Sequence, residues 1–282
     1  MEEKMSKAYS RVYVEITNLC NMNCSFCHGH SRPPRRMTEE EFTRVLTQLD
    51  PKPRYLYYHL MGEPLTHPDL PRFLRMAGER GFRSVLTTNG TLLQQRKREL
   101  LSSPLHKVSV SLHSFEKGNE EAFDRYLDGV MDFADAASRQ GIITVLRLWN
   151  RGGDEGRNQE ILRRLQDRFA GEWAENTKGI RIRPKLHLEW GDRFVWPDRD
   201  APDSGDEVFC YGMQDHFGVL SDGTVVPCCL DSDGVIALGN VYREELSSIL
   251  ASPRATAIAK GFRTHRATEE LCRRCGYAKR FL

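Results

Sequence analysis

The sequence predicts an α/β protein, a partial (β/α)6 TIM-like barrel followed by a small C-terminal domain made of a β-hairpin and helices. Three observations predict it. Short β-like runs alternate with longer helical patterns over the first two thirds of the 282 residues, the sign of βα units feeding a parallel sheet. The pattern changes after about residue 187, at a stretch rich in Asp, Pro, Gly and Trp. The eight cysteines form two groups: Cys20, Cys24 and Cys27, then Cys210, Cys228, Cys229, Cys272 and Cys275. The expected organisation is a barrel over 1–187, a linker or active-site loop over 188–207 and a second cysteine-bearing domain over 208–282.

Strands are expected at 12–17, 54–60, 84–88, 107–112, 143–148 and 180–185. Helices are expected between them at 38–49, 70–80, 92–101, 120–139 and 158–169. The first of these opens on a Thr and Glu capping pattern. Gly81 and Gly141 each follow a helix and precede a strand, where a left-handed cap is required. Residues 190–207 are expected to link the domains or cross the barrel mouth. A hairpin over 217–220 and 224–227 turns at Asp222-Gly223, helical segments run from Arg243 to about Lys260, and a Cys-containing tail follows.

Composition narrows the function. With 39% hydrophobic and 28% charged residues the chain is globular, and no window approaches the roughly 18 apolar residues of a membrane span. The start, MEEKMSKAYSR, lacks the apolar stretch of a secretion signal, so a cytoplasmic location is expected. There, clustered cysteines serve as metal ligands more readily than as disulfides. A net charge of +2, from 41 basic and 39 acidic residues, gives no global field for nucleic acid. From Arg254 onward eight basic residues face two acids, a local +6 read as solvated charge around a cluster-binding loop.

Cys20, Cys24 and Cys27 form CxxxCxxC directly after the first expected strand, in a loop that a parallel barrel places at its active face. Three thiolates are one short of a closed structural zinc site, whereas they can hold three corners of an iron–sulfur cubane and leave one iron open. With the aromatic Phe26 before the third Cys, this loop resembles that of the radical S-adenosylmethionine (radical SAM) superfamily. Further motifs follow at successive strand ends. Met61-Gly62-Glu63-Pro64 looks like the family's GGEP segment, Thr87-Thr88-Asn89-Gly90 is similar to its TNG segment, and Ser111, His113 and Arg147 stand at the ends of strands four and five. The resemblance implies that Phe26, Met61, Gly62, Glu63, Pro64, Asn89, Ser111, His113 and Arg147 bind the cofactor S-adenosylmethionine, with Glu63 accepting from its ammonium. Arg32-Pro-Pro-Arg35-Arg36 lies beside this loop.

Cys210, Cys228, Cys272 and Cys275 combine a hairpin pair with a CxxC pair, and resemble the twitch half of the SPASM extension found after many radical SAM barrels. No further cysteine follows Cys275, so one auxiliary cluster is expected, as in members of the type of 2-deoxy-scyllo-inosamine dehydrogenase. A zinc ribbon from the same four thiols is the rival reading. Cys229 is left over, or takes the place of Cys228.

Two 4Fe-4S clusters, one beside S-adenosylmethionine, are thus expected, fed by an external one-electron reductant of the flavodoxin or ferredoxin type. The resemblance implies reductive cleavage of S-adenosylmethionine to a 5'-deoxyadenosyl radical that takes hydrogen from substrate. Peptide side chains and small alcohols or sugars are both expected substrate classes. The first strand begins near Arg11, leaving no room for an N-terminal recognition domain, which weakens the peptide reading. RNA ranks last, and a non-catalytic iron–sulfur redox protein is the alternative from another class. No residue identifies itself as catalytic, and Trp149, Asn150, Glu189, Trp190 and Asp192 near the expected mouth are read as structural.

Overall fold

The computed structural model describes residues 9–116 and 118–280. Its strands are β1 (Arg11–Val14), β2 (Tyr55–Tyr57), β3 (Arg83–Thr88), β4 (Leu105–Ser111), β5 (Ile143–Arg151), β6 (Ala174–Asn176), β7 (Gly179–Arg183), β8 (Leu186–Asp192), β9 (His216–Val219), β10 (Thr224–Val226) and β11 (Gly239–Asn240). The helices α1 (Glu39–Gln48), α2 (Leu70–Glu79), α3 (Leu93–Leu101), α4 (Glu120–Arg139) and α5 (Asn158–Arg168) fall where the sequence places them, within a residue or two at each end. Thr38 caps α1 through a complete capping box with Glu41, and Gly81 and Gly141 adopt φ of 80° and 86°. Helices α6 (Leu246–Leu250) and α7 (Pro253–Arg263) follow the hairpin.

All strands join one sheet in the order β11-β10-β9-β1-β2-β3-β4-β5-β8-β7-β6. From β9 through β8 every neighbouring pair is parallel. The partial barrel is therefore present, and the C-terminal hairpin is fused to its edge, with Arg11 to Val14 of β1 in register with His216 to Val219 of β9.

The sixth strand corrects the sequence reading. Residues 180–185 were expected to complete the barrel, but β7 is an antiparallel arm between β6 and β8. The strand beside β5 is β8, with Thr144 opposite Leu186 and Arg147 opposite Glu189. Lys185, at φ 67°, turns the chain between β7 and β8. Ile182 and Leu188 are both buried, and such similar alternation gives two adjacent strands the same sequence signature. Strand β8 runs through the expected 187/188 boundary and takes up Trp190 and Asp192, so irregular chain begins only after Asp192.

The two faces of the sheet differ sharply. Outward positions carry Val12, Val14, Leu56, Leu86, Val108, Val110, Leu146 and Leu188, all buried in the main core with the helices. Inward positions, fixed by the register, carry Tyr13, Tyr57, Thr87, Lys107, Ser109, Ser111, Arg147, His187 and Glu189, with Val85 and Val145 among them. Barrel interiors are ordinarily packed with branched apolar residues, so this polar lumen marks the place where chemistry is done.

Candidate active site

The chain leaves β1 at Glu15, whose carboxylate is fully buried. Its Oε2 accepts from the Met61 N–H (3.2 Å) and from Arg32 Nη2 (2.7 Å). Its Oε1 accepts from the N–H and hydroxyl of Ser221 in the β9–β10 turn (3.1 and 2.8 Å). One carboxylate thus joins the cysteine loop, the 61–64 segment and the C-terminal hairpin. Sequence reasoning missed it, although an acid inside the apolar run Val12-Tyr-Val-Glu15-Ile16 was a visible signal.

Beyond Glu15, the loop carries Cys20 and Cys27 exposed and Cys24 half-buried. The three thiols are close enough to act on one another electrostatically. Burial, reinforced by Glu116, pushes the Cys24 thiol up to about 12, so only a metal in place of the proton makes it a thiolate at neutral pH. Ser25 is tied by its N–H and hydroxyl to the Glu116 carboxylate, both at 2.7 Å. The Phe26 ring packs on His113 with centroids 4.7 Å apart.

The 61–64 segment abuts this loop. Gly62 has φ +75°, and a Cβ there would stand 2.4 Å from the Thr17 carbonyl oxygen, so only glycine lets the two loops meet. Glu63 is buried, and its carboxylate accepts from the Leu65 N–H (2.9 Å), the Thr88 hydroxyl (2.8 Å) and the Asn89 N–H (2.7 Å). Burial pushes its pKa up to about 7, against the pull of these three donors. The acid expected to meet an ammonium also aligns the Asn89 segment. Pro64 opens the 3₁₀ turn Pro64–Thr66, and Met61 is buried behind it. Asn89 Nδ2 donates to Asn21 Oδ1 (2.9 Å), fixing the start of the cysteine loop.

Ser111 and His113 stand at the end of β4, and His113 Nδ1 lies 3.2 Å from the Arg147 carbonyl and 3.3 Å from the Trp149 nitrogen. A cleft opens beside them, lined by Ser25, Phe26, His113, Glu116, Trp149 and Asn150. Phe26 and His113 are thus brought together at the rim. The Arg147 side chain lies deeper, its charge felt at Tyr57 and His59 in the lumen.

The second cysteine group converges as well. Cys228 is influenced by Cys210, Cys229, Cys272 and Cys275 together, and burial raises all five thiols. Cys229 also meets Tyr13, packs with Leu60, Leu220 and Val226, and is close enough to Cys210 and Cys275 to act on them electrostatically. Among the described residues, no group of three His, Cys, Asp or Glu is placed to hold a single metal ion.

The segment after β8 spans the two groups. Trp196 Nε1 donates to the Phe26 carbonyl (2.9 Å) and its ring stacks on His28, while Gly276, next to Cys275, donates its N–H to the Val195 carbonyl (3.1 Å). Phe194 packs edge-on against Tyr277.

Arg32, Arg35 and several basic residues of the tail are engaged inside the molecule. Arg32 pairs with Glu15 and donates to the Ser232 carbonyl, and Arg35 pairs with Glu41 and donates to the Ser221 carbonyl. In the tail, Arg254 pairs with Glu269, Arg266 with Asp206, Arg273 with Asp203 and Arg280 with Asp192. Three acids from outside the tail, Asp192, Asp203 and Asp206, offset half of the local +6.

Residues 14–168 match the Radical SAM superfamily and residues 210–276 match the SPASM iron-sulfur cluster-binding domain. The chain belongs to the radical SAM superfamily. Both domains of this radical SAM protein imply 4Fe-4S clusters and S-adenosylmethionine binding. It is 32% identical over 137 residues to the AdoMet-dependent heme synthase of Methanosarcina barkeri, covering 45% of this chain and 39% of that one. It is 27% identical over 285 residues to a probable GTP 3',8-cyclase of Saccharolobus islandicus, covering 88% and 91%. Against the first two curated relatives, the match spans less than half of their length. Its fold is similar to that of BtrN in complex with AdoMet and 2-DOIA, with TM-score 0.63, 20% identity and coverage of 96% of this chain and 94% of BtrN. It is also similar to Streptococcus suis SuiB, with TM-score 0.61, 16% identity and coverage of 95% and 71%. Among the described residues no helix is long and apolar enough to cross a membrane.

Proposed function

We propose that this radical SAM enzyme oxidises a small polar molecule held in the barrel lumen, with the C-terminal cluster taking up the electron left on the substrate. The observation that carries the reading is the placement of the two thiol groups. Cys20, Cys24 and Cys27 crown the C-terminal end of β1, while Tyr277, two residues past Cys275, and Cys229, beside Cys228, face the lumen wall at Arg147 and Tyr13. A substrate between them touches both halves.

The first cluster with S-adenosylmethionine supplies reductive cleavage of the cofactor and, through it, hydrogen abstraction from the substrate. The protein's own residues position these groups. Cys20, Cys24 and Cys27 would hold three irons of a cluster whose remaining iron would take the cofactor. Met61, Gly62 and Pro64 would present main chain to its amino end, Glu63 aligns Asn89, Phe26 and His113 form part of the wall of the adjoining cleft, and Ser111 ends β4 beside it. Cys210, Cys228, Cys272 and Cys275 would hold the second cluster, and four thiolate ligands would favour electron transfer over substrate ligation. Cys228 is favoured as the ligand of its pair because Cys210, Cys272 and Cys275 all act on it, while Cys229 also bonds with Tyr13. An external one-electron reductant is required.

A small substrate is favoured by the crossing segment, which closes over Phe26 through Trp196. A peptide is the second reading, supported by similarity to SuiB bound to precursor peptide SuiA, against the small-molecule precedent of BtrN with 2-DOIA. The test is anaerobic reconstitution followed by S-adenosylmethionine and a strong reductant. The expected result is 5'-deoxyadenosine from the parent and none from Cys24→Ala. Absence of product from the parent, with iron bound, would sink the enzyme reading.

A further inference from the structure

Eight buried side-chain atoms lack a hydrogen-bond partner among the described residues, and six of them lie on the barrel strands. They are His59 Nδ1 just after β2, Thr87 Oγ1 on β3, Ser109 Oγ on β4, Arg147 Nε and Trp149 Nε1 on β5, and His216 Nδ1 on β9, which has the Asp215 carboxylate at 3.9 Å. Thr87 and Ser109 are register partners, and all six residues share the inward parity. Orphaned buried polar groups are costly and rare, and a row of them across five strands is the lining of a site that a polar ligand completes.

Charge specifies that ligand. Arg147 is register partner to Glu189, an adjacent position on the same face, yet the two make no ion pair. The guanidinium instead lies over the Trp149 ring, 4.5 Å from its centroid, and makes no hydrogen bond or ion pair among the described residues. Lys107, half-buried on β4, senses both Arg147 and Glu189 and is likewise unpaired. Arg11, lower on the same face, is already paired with Asp215 at 2.5 Å. Two cations thus face one carboxylate, with a flat, buried five-donor fork presented to the lumen.

Resting on the proposed lumen site, we infer that the substrate carries an anionic group, carboxylate or phosphate, bound by Arg147 with Lys107, and a hydroxyl or amine that donates to Glu189. The substrate class is a small hydroxylated or amino-bearing acid. Arg147 thereby moves from the cofactor, where the family resemblance put it, to the substrate. Trp149 backs the guanidinium, and Ser109 and Thr87 offer hydroxyls to the ligand's remaining polar atoms.

The site is read without knowing the substrate. Reconstituted holoenzyme is titrated with acetate, inorganic phosphate and neutral acetamide, followed by tryptophan fluorescence, since Trp149 touches Arg147. At least one anion should bind at about 1 mM or tighter, and at least about tenfold better than acetamide. Whichever anion wins identifies carboxylate or phosphate as the group. Arg147→Gln should weaken it about tenfold and Arg147→Lys should restore part of the loss. Glu189→Gln, which keeps the fold's hydrogen-bonding capacity and removes the repelling charge, should tighten it severalfold, so the inference stays testable even if Arg147→Gln does not fold.

Equal binding of acetamide, no anion binding, or no gain in Glu189→Gln would overturn it. Loss of S-adenosylmethionine affinity in Arg147→Gln, equal to the loss of anion affinity, would return Arg147 to the cofactor and also overturn it. Failure of the parent holoenzyme to bind iron or S-adenosylmethionine would instead strike the wider radical reading.

Discussion

His59 shows how the lumen differs from a packed interior. It lies between Tyr13 and Tyr57, with ring centroids 5.5 and 5.9 Å away. Burial, with Arg147 adding repulsion, pushes its pKa down to about 3. The folded chain keeps it neutral while the unfolded chain protonates it near 6.5. Stability from this residue is therefore complete above pH 6.5 and is lost as pH falls toward 3. Glu63, raised to about 7, acts with the opposite sign over the upper part of that window. Comparing His59→Asn with its parent isolates the histidine. Between about pH 7.5 and pH 5.5 the variant should gain about 1.4 kcal/mol on the parent, read from urea midpoints. An unchanged gap would mean that His59 is protonated or solvated in the fold.

At the scale of elements, the loop after β1 is held from three sides by Glu15. Its acceptance from Met61, Ser221 and Arg32 fastens the cysteine loop to the 61–64 segment and to the β9–β10 hairpin. Arg32 is nearly buried, with a side chain 10% exposed, so removing its partner strands a charge. Glu15→Ala should cost about 3–5 kcal/mol and weaken iron retention at the first site, read by urea unfolding and iron content together. A loss below about 1 kcal/mol would show that the hairpin and barrel are held by other contacts. Most elements were legible because their signals are local: a capping box at Thr38, glycine caps at Gly81 and Gly141, an Asp-Gly turn. Strand β8 was not, because its apolar alternation repeats that of β7 and only the register with β5 tells them apart.

For the whole molecule, the sequence made both thiol groups visible, since CxxxCxxC and CxxC spacings are linear patterns. What it hid was long-range pairing. Asp192 at the end of β8, with Asp203 and Asp206 of the crossing segment, pairs with Arg280, Arg273 and Arg266 of the tail, turning an apparent basic patch into a latch. Single surface pairs of this kind contribute roughly 0–1 kcal/mol each, and their common effect is to hold the crossing segment between the two cysteine sites. The lumen's orphaned polar atoms and the unpaired Arg147 could not be read from residue order, because inward parity appears only once strands are in register.

The account's central claim is one iron–sulfur site on each side of that lumen, and iron and zinc counting on the anaerobically reconstituted chain tests it most directly. About eight irons per chain are expected, falling to about four when Cys272 and Cys275 are both replaced by Ala, on the basis of two cysteine-held cubanes. About four irons with one zinc in the parent, or no fall on replacing the tail pair, would contradict it.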